Sequence, residues 1–513
     1  MAALLLAWAA GPAVLAVAAT TASTPTLTSA LAASATPVAA DGGTRCWLSG
    51  WSQAARCAVL KRPLDPARPG GPQIDLHYAV LPALARHKAE DAVFFFAGGP
   101  GQSAIELGGL LAGRFARLNQ RRDLVFIDQR GTGRSAPLRC AEDEPRAQLR
   151  PLAELADETQ RLPRLRVCRQ ALQAQPHGDL RFYTTEIAMT DVDAVRQVLG
   201  LRQINAVGAS YGTRAVLSYL RQFPASVRRA VLDGVAPPDR RLPDTAAQDN
   251  QAALDALLQA CADEPACAAR HPELAASLAA LLASLPREVV LPHPLSGRPE
   301  ALMLSRDSLL ALLRAPLYSP VLAAALPEAI AQAHAGRFAP LAALAAALGG
   351  GGGGLATGMH LSVICAEDLG PHAPATDPAE LQASHAPGQI FGSSFGDFYR
   401  QACAEWPRGD VSAAFYTLPR AQSPVWLLSG GVDPVTPPRH GQRVAEALGP
   451  LARHSVLPQA GHGLLGQRCV RDAVQRFIQA ETDAAALAEP ASVQACANAL
   501  PRPPAFVPPG ARP

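Results

Sequence analysis

Six short, largely apolar runs punctuate the chain: Ala92–Phe96, Asp123–Asp128, Ile204–Gly208, Arg229–Asp233, Val425–Ser429 and His454–Leu457. Their centres show no in–out alternation. Strands that read this way are covered on both faces, as parallel strands are, so the pattern predicts an α/β fold with a mostly parallel sheet flanked by helices. The third run leads at once into a helix-like stretch, Tyr211 to Phe223. Between about Pro237 and Ser423 the pattern changes. Ala and Leu recur at helical spacing, as at Leu254, Leu257 and Leu258, with no clear series of buried strands. Six consecutive glycines, Gly349 to Gly354, require a flexible loop. Strand-like runs return at 425 and 454, so the middle segment reads as a helical cap inserted into one domain, not as a separate second domain. The expected divisions are a first part of the core at 44–236, the cap at 237–423, and the rest of the core at 424–513 with a Pro-rich tail.

The first 43 residues follow a different pattern. Residues 2–19 are almost wholly apolar and small, Ala16-Val17-Ala18 and Ala33-Ser34-Ala35 offer cleavage sites, and 20–43 is rich in Ala, Thr and Ser. This predicts a signal peptide with a flexible leader, and export to the periplasm or the exterior. Pro12 and the short Ala-rich run argue against a membrane anchor, which needs about 20 strongly apolar residues. Ten cysteines suit an oxidising compartment. They fall into sequence neighbours, Cys46/Cys57, Cys140/Cys168, Cys261/Cys267, Cys365/Cys403 and Cys469/Cys496. Pairing of neighbours is the expectation, with buried free thiols as the alternative, because connectivity does not follow from sequence. A hydrophobic content of 49% is that of a globular chain, and a net charge of +3 without a basic, aromatic-interleaved stripe gives no reason to expect a nucleic-acid partner.

The candidate chemistry lies at the ends of the apolar runs. Gly208-Ala209-Ser210-Tyr211-Gly212 is a G-x-S-x-G set between a strand and a helix. In that context the turn is tight enough to require small flanking residues and exposes the serine hydroxyl at the carboxyl end of the sheet. A hydroxyl needs a base, and the base an orienting carboxylate. Asp433 follows the fifth run and His462 the sixth, in the order Ser, Asp, His. Asp410, Glu405, His440 and His454 are rivals in less favourable places. Ala97-Gly98-Gly99-Pro100-Gly101 follows the first run, where Gly99 and the Tyr211 N–H are candidates to hold a developing oxyanion. Gly131-Thr132-Gly133-Arg134-Ser135 lacks the spacing of a nucleotide loop, and no H-E-x-x-H is present, so neither cofactor nor metal is expected.

Taken in order, GGPGQS at 98–103, DQRGTGRS at 128–135, GASYGT at 208–213, LSGGVDPVTPP at 428–438 and GHG at 461–463 resemble the prolyl aminopeptidase/tripeptidyl aminopeptidase family of α/β-hydrolases. The C-terminal stretch looks most like its secreted tripeptidyl aminopeptidase-like branch. The resemblance covers roughly residues 75–480 without much of the cap. It implies an α/β-hydrolase core, a nucleophile at Ser210, an acid at Asp433, a base at His462 and an oxyanion loop at Gly98 to Gly101. One departure is Ala97, where the family often has His or Asn. The resemblance further implies a peptide substrate whose free N-terminal amine is held by cap carboxylates, for which Glu367, Asp368 and Glu405 are the candidates. Bridging of Cys365 to Cys403 would bring these acids together. Two other readings stand beside this one: a secreted ester hydrolase with the same triad, and an inactive member that serves as a binding protein.

Overall fold

The computed structural model describes residues 43–349, 354–384, 386 and 389–507. The expected signal peptide and nearly all of the leader lie outside the described residues, as do Gly350 to Gly353 of the six-glycine run. Nine strands form one sheet: β1 (Thr44–Trp47), β2 (Ala54–Pro63), β3 (Gln73–Leu81), β4 (Ala92–Phe96), β5 (Asp123–Ile127), β6 (Ile204–Ala209), β7 (Val227–Asp233), β10 (Val425–Gly430) and β11 (Ala452–Leu457), in the order β1-β2-β3-β5-β4-β6-β7-β10-β11. The six strands from β5 to β11 run parallel. These are the six apolar runs of the sequence. In β4 successive phenylalanines serve both faces. Phe95 packs with Phe115, Phe126 and Phe477 on one side, whereas Phe94 and Phe96 pack with Val192, Val216 and Tyr219 on the other.

Strands β1, β2 and β3 extend the sheet antiparallel to their neighbours and were not anticipated. Charged residues interrupt β1 and β2, and β3 begins with polar and apolar residues in alternation, Gln73-Ile74-Asp75-Leu76-His77, where Ile74 and Leu76 are buried and Gln73 and Asp75 exposed. Between β7 and β10 the chain is largely helical, with the long helix Leu242–Asp263 first and the helix Ser394–Glu405 near the end. It also contains a hairpin, β8 (Arg287–Pro292) with β9 (Pro299–Leu304), which the sequence does not announce: its burial alternates, yet the exposed Val290 and Met303 are apolar. This segment has an apolar cluster of its own, around Leu254, Leu309, Leu326 and Ile330. A further cluster joins it to the sheet domain through Tyr183, Tyr211, Met359, Tyr399 and Trp406. All five neighbouring cysteine pairs are disulfide-bonded.

Because β4, β6, β7, β10 and β11 are parallel, their carboxyl ends share one edge. That edge carries residues 97–101, Ser210, Asp233, Asp433 and the loop to His462.

Candidate active site

Ser210 sits at φ 55° and ψ −124°, a strained backbone for a residue with a side chain. The strain follows from the tightness of the turn between β6 and the helix Tyr211–Gln222. A Cβ on Gly208 would collide with the Gly212 carbonyl oxygen, and one on Gly212 with the Phe96 carbonyl oxygen. Glycine at both positions is therefore a packing requirement. The turn is held by Ser210 N–H donating to Asp233 O at 2.8 Å and by the Thr213 hydroxyl donating to Ser210 O at 2.6 Å. Ser210 Oγ forms no hydrogen bond among the described residues.

Asp433 is 3% exposed and accepts from Val435 N–H (2.8 Å), Thr436 N–H (2.9 Å), the Thr436 hydroxyl (2.7 Å) and His462 Nδ1 (2.8 Å). A carboxylate can only accept, so Nδ1 carries the ring proton and Nε2 is left with its lone pair. Burial alone would raise the Asp433 pKa. The facing His462 and the Thr436 donors outweigh it and bring the carboxyl down to about 2. For His462, burial pulls the pKa down, but Asp433, with a smaller push from Asp233, carries it above the ordinary histidine value. The loop bearing His462 is held from two sides. Asp233 accepts from the N–H groups of Leu464 and Leu465, both at 2.8 Å, and His462 N–H donates to Tyr318 O at 3.0 Å. The Tyr318 ring also meets the imidazole edge-on at 5.4 Å. Asp233 went unweighed in the sequence, although its position at the end of an apolar run was the available signal.

The loop after β4 lies against the elbow: a Cβ on Gly98 would stand 3.3 Å from Ser210 Cβ. Gly99 and Gly101 have φ of 109° and 111°, and a side chain on Gly99 would meet Gly101 N at 2.7 Å. The DQRGTGRS segment is a structural brace. Asp128 accepts from the Ser103 hydroxyl and from Ile105 N–H and Arg134 N–H, each at 3.1 Å. Arg130, 0% exposed, pairs with Asp191 at 2.7 Å.

The three cap acids occupy two environments. Glu367 and Asp368 are each 1% exposed and share Arg214, at 3.4 and 2.8 Å. Glu367 also accepts from Thr185 N–H at 2.7 Å, and the Thr185 hydroxyl lies 2.7 Å from the Tyr211 hydroxyl. Burial is the largest influence on Glu367 and raises its pKa to about 7 in spite of Arg214. Glu405 lies instead at the surface, paired with Arg166 at 2.8 Å and Arg169 at 3.4 Å. The Cys365–Cys403 bridge forms, yet it does not give Glu405 the same partners as the other two. Of the rival residues, Asp410 is exposed, His454 bonds Ser429 Oγ at 2.9 Å, and His440 is buried 3.7 Å from Asp249.

Strand order, elbow, and a hydrogen-bonded acid and histidine after the parallel strands β10 and β11 define an α/β-hydrolase fold with a candidate Ser-His-Asp site. Residues 91–318 match the family described as alpha/beta hydrolase fold, and residues 389–486 match TAP-like protein. The chain accordingly has the α/β-hydrolase fold, and its C-terminal part is similar to TAP-like protein. Among curated relatives, tripeptidyl aminopeptidase of Streptomyces lividans is 30% identical over 197 residues, 36% of this chain and 36% of that one. The chain thus spans about a third of the length of that relative. Serine protease Hip1 of Mycobacterium tuberculosis is 26% identical over 458 residues, 83% of this chain and 85% of that one. Carboxylesterase B of Mycobacterium tuberculosis is 29% identical over 461 residues, 82% of this chain and 84% of that one. Among the described residues no helix is long and apolar enough to cross a membrane.

Proposed function

We propose that the protein is an exported serine peptidase that hydrolyses peptides from a free N-terminus through an acyl-enzyme. The observation that carries the reading is the Asp433–His462 hydrogen bond of 2.8 Å at the same sheet edge as the strained Ser210 turn. In this mechanism the His462 Nε2 lone pair takes the Ser210 proton as Oγ attacks the scissile carbonyl carbon. Asp433 holds the Nδ1 tautomer and stabilises the imidazolium. The N–H groups of Gly99 and Tyr211 receive the developing oxyanion. The imidazolium then gives its proton to the leaving amine, and water, deprotonated by the same His462, breaks the Ser210 ester.

Peptide substrates are favoured by the relatives named tripeptidyl aminopeptidase and serine protease. Amine recognition by the cap acids rests on charge. Two buried carboxylates, Glu367 and Asp368, share one guanidinium, so the cluster lacks one positive charge, and burial answers this by raising Glu367 to about 7. A substrate ammonium would replace that proton. Glu367 is the first candidate, since its ion pair to Arg214 is the longer one, and Glu405, neutralised by two arginines, is the last. Export is supported by five disulfides in a chain without free cysteines among the described residues.

The test compares chromogenic tripeptides with free and blocked N-termini, using the wild type and Ser210→Ala. Cleavage restricted to free-amine forms and lost in Ser210→Ala is expected. Activity that persists in Ser210→Ala would remove the nucleophile assignment. A second reading, ester hydrolysis by the same triad, is favoured by the long match to a protein named carboxylesterase B. It predicts equal turnover of blocked peptides and simple esters.

A further inference from the structure

The oxyanion loop is made of residues that do little to fix their own shape. Gly98, Gly99 and Gly101 have no side chains, two of them lie at positive φ, and Ala97 at the loop's entry has no polar group. Glycine-rich backbone of this kind loses the most conformational freedom on ordering, and the loop's own bond, Gln102 N–H to Gly98 O at 3.3 Å, leaves the Pro100 and Gly101 carbonyls to be held from outside. The imposing contacts come from the cap. Ala356 N–H donates to Gly101 O at 3.0 Å, and the Leu355 side chain would touch any Cβ placed on Gly99 or Gly101. His360, in the short helix Thr357–Val363, reaches the same loop: its Nδ1 lies 3.1 Å from Pro100 O. Its Nε2 lies 2.8 Å from the hydroxyl of Tyr399, a buried residue whose ring packs against Phe395 and Phe398.

This pairing fixes the protons. A proline carbonyl can only accept, so Nδ1–H is the donor, and the neutral ring's Nε2 accepts from the Tyr399 hydroxyl. Burial supports the neutral form by pulling the imidazole pKa down to about 4.

We propose that His360 is a positioning residue, which sets the oxyanion loop from the cap side by holding the Pro100 carbonyl and is itself aimed by Tyr399. A peptide unit is planar, so fixing Pro100 O also fixes the direction of Gly101 N–H. With Gly101 O held by Ala356, two successive peptide planes are set. The plane that carries the Gly99 N–H is tied to the second of them, because Gln102 N–H donates to Gly98 O at 3.3 Å. An oxyanion donor contributes through its placement, and displacement by an ångström is enough to forfeit much of the effect.

The inference rests on the hydrolase reading, and the experiment separates the two. The chromogenic substrate is whichever the wild type turns over, a free-amine tripeptide 4-nitroanilide or 4-nitrophenyl butyrate. A wild type inert toward both, and toward a fluorophosphonate probe at Ser210, defeats the hydrolase reading itself. Given an active wild type, His360→Leu should lower kcat by about 10- to 100-fold with KM within about twofold. His360→Asn, whose amide nitrogen can replace Nδ1–H, should stay within about threefold of the wild type on the same grounds. Tyr399→Phe should fall between the two. Binding of a peptide boronate, which forms a tetrahedral adduct on Ser210, should weaken in step with kcat/KM, whereas inhibition by the product tripeptide or butyrate should not change. Equal losses in His360→Asn and His360→Leu, or losses confined to KM, would overturn the proposal. If His360→Leu does not fold, the order wild type, His360→Asn, Tyr399→Phe in kcat decides it, and a Tyr399→Phe enzyme with full kcat and full boronate affinity would sink it.

Discussion

At the scale of single residues, the site is a contest between burial and charge, and the winner sets the pH behaviour. His462 is pulled down by burial and carried above the ordinary histidine value by Asp433 and Asp233. In the proposed mechanism the base is the neutral ring, so kcat/KM should rise with pH through an apparent pKa above about 6.5. Asp433→Asn should lower kcat by on the order of ten-thousand-fold and move that limb to lower pH, as a pH–rate profile of wild type and variant would show. A limb that stays in place would mean that Asp433 is not the charge His462 feels. Glu367 behaves in the opposite sense. Its folded pKa of about 7 lies above the ordinary 4.5 of a glutamate. The proton is therefore held more tightly in the folded state, and the stability this contributes is complete below about pH 4.5 and is lost as pH rises through about 7. Glu367→Gln should flatten that part of the profile, so that its Tm relative to wild type improves between pH 5 and pH 8. An unchanged difference between the two proteins across that range would show that Arg214 keeps Glu367 ionised throughout. If the same variant also raises KM for free-amine substrates and leaves blocked esters alone, the amine assignment gains its direct support.

At the scale of elements, the elbow is the tightest constraint. The Gly212→Ala variant would press a methyl into the Phe96 carbonyl, in a turn already strained at Ser210. A loss of at least about 1–3 kcal/mol in chemical denaturation is expected, together with loss of fluorophosphonate labelling at Ser210. Such a turn is legible in sequence because its chemistry is local: small residues flank a serine between a strand and a helix. Five of the six parallel strands are legible for a related reason, since two-sided burial leaves continuous apolar runs such as Ala92–Phe96, whereas the edge strand β11 is buried only at its ends. Strands β2 and β3 are not legible, because one face of each meets solvent and charged residues break the run, and β8 and β9 are not, because their apolar stretches, with Val290 and Met303 exposed, are too short to stand out in an Ala/Leu-rich segment. Long-range partners are harder still. Nothing in Cys365-Ala366-Glu367-Asp368 announces that Arg214, on the nucleophile's own helix, will be the cation beneath both acids. Nor does the sequence around Asp233 announce that it will hold the two N–H groups after Gly463. The candidate triad could be read from spacing, whereas the groups that aim it are assembled only by the fold.

At the scale of the whole molecule, the question is whether the segment between β7 and β10 is a lid that moves or a wall of the site. Its own apolar cluster around Leu309 and Ile330 would favour an independent unit. Four sets of contacts argue the other way. The shared cluster at Tyr211, Met359 and Tyr399 packs directly behind the elbow. Tyr318 O holds His462 N–H, and Ala356 with His360 holds the loop after β4. Arg240, paired with the buried Asp249 and hydrogen-bonded to the Thr245 hydroxyl and to Val435 O, ties the start of the helix Leu242–Asp263 to the turn that carries Asp433. Breaking one partner of a buried ion pair is worth about 3–5 kcal/mol, more than an open lid could recover from solvation of its surface ions. The cap should therefore unfold with the sheet domain. Calorimetry of the disulfide-intact protein is expected to give one transition, with calorimetric and van't Hoff enthalpies in agreement and activity lost across the same temperatures. Asp249→Asn should lower that single Tm and reduce kcat together, because it frees Arg240 beside the Asp433 turn. Two resolved transitions, with the first leaving the sheet domain folded, would make the cap a separate unit and require the site to be completed only when the cap docks.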